Sequence, residues 1–440
     1  MSNSKQGLVR NIASLGVMQI ANYVLPLLSV PVISRIIGPD KFGVINFASS
    51  FMAYFTLLIG FGFDLSATRQ IAANPNDEEN RNRVFSEVFG CQLFLLGLSV
   101  VIFTICLLTV PQLRAESAVA FFSFLICIST VLTQNWLFQA MQDLSKVAIL
   151  NIISKLVFTV LVLLAIRQKG DYGWYPVVFN GVNIIIAAIS FAWALNRYKI
   201  RLVAVPFRRL MRHLWEEKTV FLSLVVINVY TTTNVVILGF YTDASQVGYY
   251  ASAQRLIAVV QSLLTMPLYQ AFYPYIGKAF GESREKGMLI VRKLVPMILL
   301  FTGASCLALY LLGPWILVAF YGEKFAPAVA AIRIMAFLPM IVCINNVYAI
   351  QVMLNLKMDK YFLRVTGVAA VLSIGLNMLL LPHLGYRGSA YTTVITELFV
   401  NLSMYFILRN KQLNPLKQEY FSPSVLLEAV RPLRDKLLRR

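Results

Sequence analysis

The chain has 440 residues, 58% of them hydrophobic and only 13% charged, with a mean hydropathy of +0.70. A soluble chain of this length needs a far more polar surface, so the composition excludes an ordinary globular domain and points to an integral membrane protein. The formal net charge of +19 raises nucleic acid as a partner, a reading that the distribution of the charges removes.

The apolar residues fall into about twelve runs of roughly the length that crosses a hydrocarbon core as helix. They cover 12–34, 43–65, 88–110, 117–137, 147–166, 175–195, 219–240, 248–272, 290–312, 326–348, 360–381 and 387–408. The first follows "MSNSKQGLVR" and carries Gln19 and Asn22. It is too long for a signal h-region and is expected to remain in the mature protein. Pro26 and Pro31 lie within it and Arg35 near its end, before "GPDKFG" with Gly38 and Gly43. The second run ends near "GFGFDLSATR", where Arg69 is the local partner expected for Asp64. Lys155 lies mid-way along the fifth run, Arg255 and Arg333 each a few residues into the eighth and tenth, and Glu397 near the middle of the twelfth. The five cysteines all lie in apolar runs, are odd in number and form no CxxC. They read as small buried hydrophobes, with no disulfide framework or metal site.

With the N-terminus placed in the cytoplasm, 29 of the 39 Lys and Arg residues fall in cytoplasmic segments, 7 in outer loops and 3 (Lys155, Arg255, Arg333) inside helices. This is the positive-inside pattern, with both termini cytoplasmic. Anionic headgroups account for the basic excess, and no nucleic acid is needed.

The longest internal polar stretch, 196–218, divides six runs from six. Within it Phe207, Leu210, Met211, Leu214 and Trp215 recur at helical spacing, and Arg208, Arg209, Arg212 and Lys218 lie off that stripe. This predicts an amphipathic helix on the inner membrane face, either a plain linker or a bridge that moves with two lobes. The resulting division is an N-lobe (1–195), the linker (196–218), a C-lobe (219–408) and a basic cytoplasmic tail (409–440). The lobes echo each other. A shift of 205 sets Gly43 on Gly248 and Ala48 on Ala253; 216 sets Cys127 on Cys343 and Asp143 on Asp359; 214 sets Tyr172 on Tyr386 and Asn183 on Glu397. Matches in the same order imply a duplicated six-helix unit, and an even number of helices makes the copies parallel repeats suited to alternating access.

The segments "LPLLSVPVISRIIGPDKFGVINFASSF", "ILGFYTDASQVGYYASAQRL" and "LFQAMQDLSKVAILNIISK" resemble the Wzx-type polysaccharide flippases of the multidrug/oligosaccharidyl-lipid/polysaccharide exporter superfamily. The similarity spans nearly the whole chain but carries no catalytic signature. It implies an all-α integral membrane protein of about 12 transmembrane helices in two six-helix lobes around a central cavity. The implied function is translocation of undecaprenyl-diphosphate-linked oligosaccharide repeat units across the bacterial inner membrane. Membrane lipids, a polysaccharide polymerase and a chain-length regulator are its implied partners.

A diphosphate inside a membrane calls for cations, and Arg suits it by bidentate hydrogen bonding. The candidates are Lys155, Arg255, Arg333 and Arg35, against snorkelling, structural pairing or interface anchoring. Glu397 and Asp64 are candidates for ion coupling; Glu397 has a structural pair with Arg255 or Arg333 as its alternative. Pro26, Pro31, Gly43 and Gly248 are candidates for gating, against ordinary kinks. "QNW" at 134–136, "TTTN" at 231–234 and "NN" at 345–346 either bond sugars or join helices. No Ser-His-Asp set, P-loop or metal cluster occurs, so no catalytic residue and no cofactor is expected; H+, Na+ or membrane potential is left to drive transport. The alternatives are a membrane polysaccharide polymerase or ligase, and an ion-coupled drug exporter of the same superfamily. The charge distribution makes the topology testable. In a background lacking native thiols, Asp171→Cys is expected to label from outside intact cells, and Gln412→Cys only after permeabilisation.

Overall fold

The computed structural model describes residues 2–267 and 272–422; the rest of the basic tail lies outside the described residues. Helices follow one another along the chain, and no strand occurs among the described residues. In order they are α1 (Ser2–Gly60), α2 (Phe63–Ala72), α3 (Glu78–Thr109), α4 (Pro111–Ala115), α5 (Ser117–Phe124), α6 (Ile126–Leu132), α7 (Asn135–Ala140), α8 (Leu144–Ala165) and α9 (Trp174–Arg197). Then come α10 (Phe207–Tyr241), α11 (Ala244–Pro267), α12 (Tyr273–Glu282), α13 (Arg284–Tyr321), α14 (Val329–Met335), α15 (Leu338–Asn346), a π-helical segment (Val347–Leu354), α16 (Asp359–Leu384) and α17 (Tyr386–Asn410).

Among the described residues eight helices are long and apolar enough to cross a membrane, or ten if each of two bent pairs is one span. α11, the eighth expected run, is helical but is not among the eight, in keeping with the arginine it carries. Large apolar side chains face outward along the spans: Leu108 is 69% exposed, Val371 73% and Trp315 80%. Such a surface suits hydrocarbon and not water.

The chain forms two compact units, Met1–Asn228 with Asp243–Gly248, and Val229–Thr242 with Tyr249 onward. The first break therefore falls ten residues after the expected linker. The amphipathic stretch does not end there: α10 runs on from Phe207 into the seventh span and bends by 53° between Val229 and Thr232. No Gly or Pro separates the two stretches, so nothing stops the helix at Lys218. Its apolar stripe is divided. Leu210 is buried, its carbonyl accepting from the Cys91 thiol, while Phe207 and Trp215 remain exposed.

Within the first unit α1 packs on α3, α6 and α8, and α9 on α6 and α8. Phe55, Phe103 and Phe124 form an aromatic centre, with Phe103 and Phe124 stacked at 4.3 Å. Within the second, α17 packs on α14, α15 and α16, and the core runs through Val291, Val295, Cys343, Val352, Val400 and Met404. All five cysteines are free; Cys106 is half-buried and the other four are buried.

The duplication is visible in the way the helices begin and end. Asp77 caps α3 through the Asn80 N–H, and Ser283, 206 positions on, caps α13 through the Lys286 N–H. Gln142 and Lys357 both take positive φ, each followed by an amide that reaches back five residues, Asp143 N to Phe138 O and Met358 N to Met353 O. Lys199 and Gln412 repeat that arrangement, with Ile200 N to Leu195 O and Leu413 N to Leu408 O. The three pairs lie 206, 215 and 213 positions apart, close to the shifts of 205 to 216 that relate the lobes in the sequence.

The first helix places its one backbone break at a glycine. α1 continues through Pro26 and Pro31, and its one non-helical residue is Gly38, at φ 77° and ψ 173°. In a membrane helix neighbouring groups tolerate a proline, whereas a left-handed φ belongs to glycine. Beyond the break lies a close backbone approach within the first unit. A Cβ on Gly43 would collide with the Ala244 carbonyl, and one on Gly248 with the Pro39 carbonyl. The two repeat-related glycines thus meet in a reciprocal crossing that only hydrogen side chains permit. Gly43→Ala and Gly248→Ala are each expected to destabilise the purified protein by about 1–3 kcal/mol, as overpacking does. Gly60→Ala, whose Cβ would meet nothing within 4 Å, is the control; equal melting temperatures for all three would remove the crossing from the fold's support.

Candidate functional site

Each unit holds a small cavity, and the two have the same origin. The first, about 190 Å³, is lined by Ser49, Met52, Ala53 and Thr56 of α1 together with residues of α5, α6 and α9. The second, about 200 Å³, is lined by Gln254, Ile257, Ala258 and Gln261 of α11 together with residues of α15 and α17. A shift of 205 carries the first four residues onto the second four. Ile126 becomes Val342 at the shift of 216, and Phe179 becomes Thr393 at 214. Three shifts found by sequence matching therefore superimpose two structural cavities.

Their chemistry differs. The first contains no charged residue. The second contains Glu397, whose Oε2 accepts a hydrogen bond of 2.7 Å from Asn345 Nδ2. Asn345 is buried in the last turn of α15, just before the helix widens into its π-helical segment. Glu397 pairs with neither Arg255 nor Arg333, and no ion pair involves it among the described residues. Asp64 and Arg69 also form no pair. Five residues of α-helix separate them by about 140° around the axis, whereas neighbours are three or four apart.

The expected cations are split between the units. Arg35 is exposed and Lys155 half-buried in the first. Arg255 is half-buried and Arg333 exposed in the second, neither with an ion pair among the described residues. Neither lines the Glu397 cavity.

The polar triplets prove to be joints between helices. Gln134 is fully buried, donating to Gln92 Oε1 and accepting from Trp136 Nε1. Asn234 centres a larger network. Its Oδ1 accepts from Asn377 at 2.6 Å and Ser373 at 3.2 Å, and its Nδ2 donates to Thr393 Oγ1 at 2.9 Å. Ser389 donates on to Asn377, and the Tyr250 hydroxyl lies 2.8 Å from Thr393 Oγ1. α10, α11, α16 and α17 are thereby tied together inside the second unit.

Two clusters went unnoticed in the sequence. Around the first turn Lys41 bonds Glu116 at 2.8 Å, Tyr172 donates to the other Glu116 oxygen, Lys41 lies 4.3 Å from the Tyr172 ring, and Lys169 pairs with Asp40. Arg81 is buried, donates to the carbonyls of Pro75 and Tyr198 and pairs with Glu78 at 3.7 Å. Burial pushes the Tyr198 phenol up, and Asp143 adds to that effect. Charged residues 75 to 129 positions apart leave no local pattern to read. No group of three His, Cys, Asp or Glu able to hold a metal occurs among the described residues.

Comparison with solved structures sets the class. The lipid II flippase MurJ in an inward closed conformation matches at a TM-score of 0.75 with 14% identity, over 98% of this chain and 93% of that one. An inward-facing multidrug resistance MATE family transporter of the MOP superfamily matches at 0.69 with 17% identity, over 91% and 98%. The fold is that of these helical membrane transporters. The family described as "Polysaccharide biosynthesis protein" matches residues 8–280, and the chain belongs to it. A protein of Escherichia coli (strain K12) named "Putative O-antigen transporter" is 31% identical over 415 residues, 94% of this chain and 99% of its own. One of the same name from Shigella dysenteriae is 23% identical over 90% of this chain and 98% of its own.

The network predicts a large effect from one side chain. Asn234→Ala removes the acceptor of the buried Ser373 hydroxyl and Asn377 amide and a donor to the half-buried Thr393, and is expected to destabilise the protein by about 1–3 kcal/mol. Thermal unfolding in detergent measures it, and an unchanged midpoint would show that water replaces the amide there.

Proposed function

We propose that this protein flips undecaprenyl-diphosphate-linked oligosaccharide, of the O-antigen repeat-unit class, across the bacterial inner membrane by alternating access. The observation that carries the reading is the end-to-end relationship to a relative named for O-antigen transport, on a transporter fold. The unpaired Arg255 supplies the chemistry: a half-buried guanidinium inside a membrane helix calls for a diphosphate or water. Arg333, which is exposed, is the second arginine proposed in that unit, and Lys155 and Arg35 are the candidates in the first. The Gly43–Gly248 crossing, together with the break at Gly38, is the gating element in this reading. Both termini face the cytoplasm.

Membrane lipids enter through α10. An open recess of about 570 Å³ beside it is lined by Arg208, Arg209, Arg212 and His213 with Glu87 and Glu216. Arg209 is bound to Glu87 at 2.6 Å, which leaves Arg208 and Arg212 for anionic headgroups at the cytoplasmic face. A polysaccharide polymerase and a chain-length regulator are the partners that would take the flipped product onward.

The test is a competition between a lipid diphosphate and a neutral polyprenyl lipid, read on folded variants. Arg255→Ala is expected to weaken binding of the diphosphate by about 1.5–3 kcal/mol and leave the neutral lipid unchanged, because a charged hydrogen bond is lost. Arg255→Lys recovers part of it, since the charge stays and the fork goes. Equal loss for both lipids would make Arg255 a structural residue. Efflux of cationic drugs by proteoliposomes that flip no lipid-linked sugar would replace the reading with a drug exporter.

A further inference from the structure

The repeat-related cavities differ by one charge, and that difference points to what the second one holds. In the first unit the counterpart of Glu397 is Asn183, whose Oδ1 accepts from Ser154 and whose Nδ2 donates to the Phe179 carbonyl. The amide is neutral and satisfied. In the second unit the carboxylate of Glu397 receives, among the described residues, one side-chain hydrogen bond, from Asn345, and no cation. A carboxylate charge within a membrane helix is costly when nothing compensates it.

The surroundings offer no internal remedy. The elements around Glu397 carry Tyr249, Tyr250 and Arg255 on α11, Arg333 on α14, Cys343 on α15, Tyr348 on the π-helical segment, Asp359, Lys360, Tyr361, Arg364 and His383 on α16, and Tyr386, Arg387, Tyr391, Tyr405 and Arg409 on α17 itself. None of them lines the cavity. Two buried polar atoms beside it, Thr396 Oγ1 and Asn345 Oδ1, have no hydrogen-bond partner. About 200 Å³ gives room for a few waters to satisfy them and to carry a proton in. Gln254, Gln261, Thr393 and Thr396 bring oxygens to the cavity beside the apolar Ile257, Ala258, Leu338 and Val342, but Glu397 is its one charged ligand and Asn345 Nδ2 already donates to that carboxylate, which favours a proton over an alkali cation. One proton forms one O–H bond on Glu397 and removes the whole charge.

Asn345 adds a means of adjustment. It sits at the junction with the π-helical segment, and such widened turns recur at functional sites because their hydrogen-bond register can shift. A shift there alters the amide's hold on the carboxylate.

We propose that Glu397, positioned by Asn345, is a proton-binding site of the second unit, loaded and emptied once per transport cycle. The cycle rests on the flippase reading; the binding site does not. Difference infrared spectroscopy of the full-length protein in lipid, between acid and alkaline pH, tests the site directly. The expected result is a protonated-carboxyl band that Glu397→Gln abolishes and Glu397→Asp moves. Asn345→Ala should shift the pH at which the band is lost while leaving it present. The same band in wild type and Glu397→Gln would overturn the site, as would loss of the band on adding Na+ at fixed pH, which would make the occupant sodium. The coupling is tested by flipping of lipid-linked oligosaccharide in proteoliposomes under an imposed pH gradient. The wild type should accelerate several-fold and Glu397→Gln should not respond. A variant that responds as the wild type does would sink the coupling. A wild type that binds the proton but flips no lipid-linked sugar would refute the flippase reading alone.

Discussion

A polar group inside hydrocarbon has no water to bond, and most of this structure follows from that single constraint. It makes the backbone helical over every apolar run. It also forces each polar side chain within a span to find a partner in another helix. Asn234, Asn377, Ser389 and Thr393 answer it with a closed set of bonds, and Gln92, Gln134 and Trp136 with a smaller one. These are tethers, because breaking one leaves a group for which lipid offers no substitute. Against that background the few groups left incompletely met stand out: Glu397 with its one donor, and Arg255 with none. Function is sought at those exceptions.

Much of the fold was legible in the sequence. Length and hydropathy identify the helices because burial in lipid needs nothing more specific than an apolar run. The repeat was legible through a few pairs, Gly43 with Gly248 and Cys127 with Cys343, because close backbone contact and tight packing restrict residue choice. Other features were hidden for definite reasons. The sequence places Gly38 just beyond the first run but does not show that the chain breaks there, since a glycine adopts positive φ only where the chain requires it. The continuity of α10 was missed because a change of face composition at Lys218 looks like an ending, although no residue there stops a helix.

The site was less legible. Lys155, Arg255, Arg333 and Glu397 could be named as charges in apolar runs, but a linear sequence does not tell which of them face one another. The pairing of Asp64 with Arg69 looked local and fails on angle alone. Glu397 was weighed against an arginine partner, and its actual partner is a neutral amide 52 positions earlier. The joints at Gln134 and Asn234 were the even alternative to sugar contacts, and their bonds to Gln92, Asn377 and Thr393 are visible only in the fold. The π-helical segment after Asn346 has no sequence signature at all; it is a property of the packing.

The matching helix ends and the matching cavities have one more consequence. A protein written twice carries a spare copy of every position, so drift in one copy is tested against an intact fold in the other. Asn183 and Glu397 record such a divergence: one position holds a neutral amide and its twin a carboxylate. Asymmetry of this kind gives a two-part machine a direction. If its halves had stayed alike, nothing in their chemistry could distinguish a forward stroke from a return stroke.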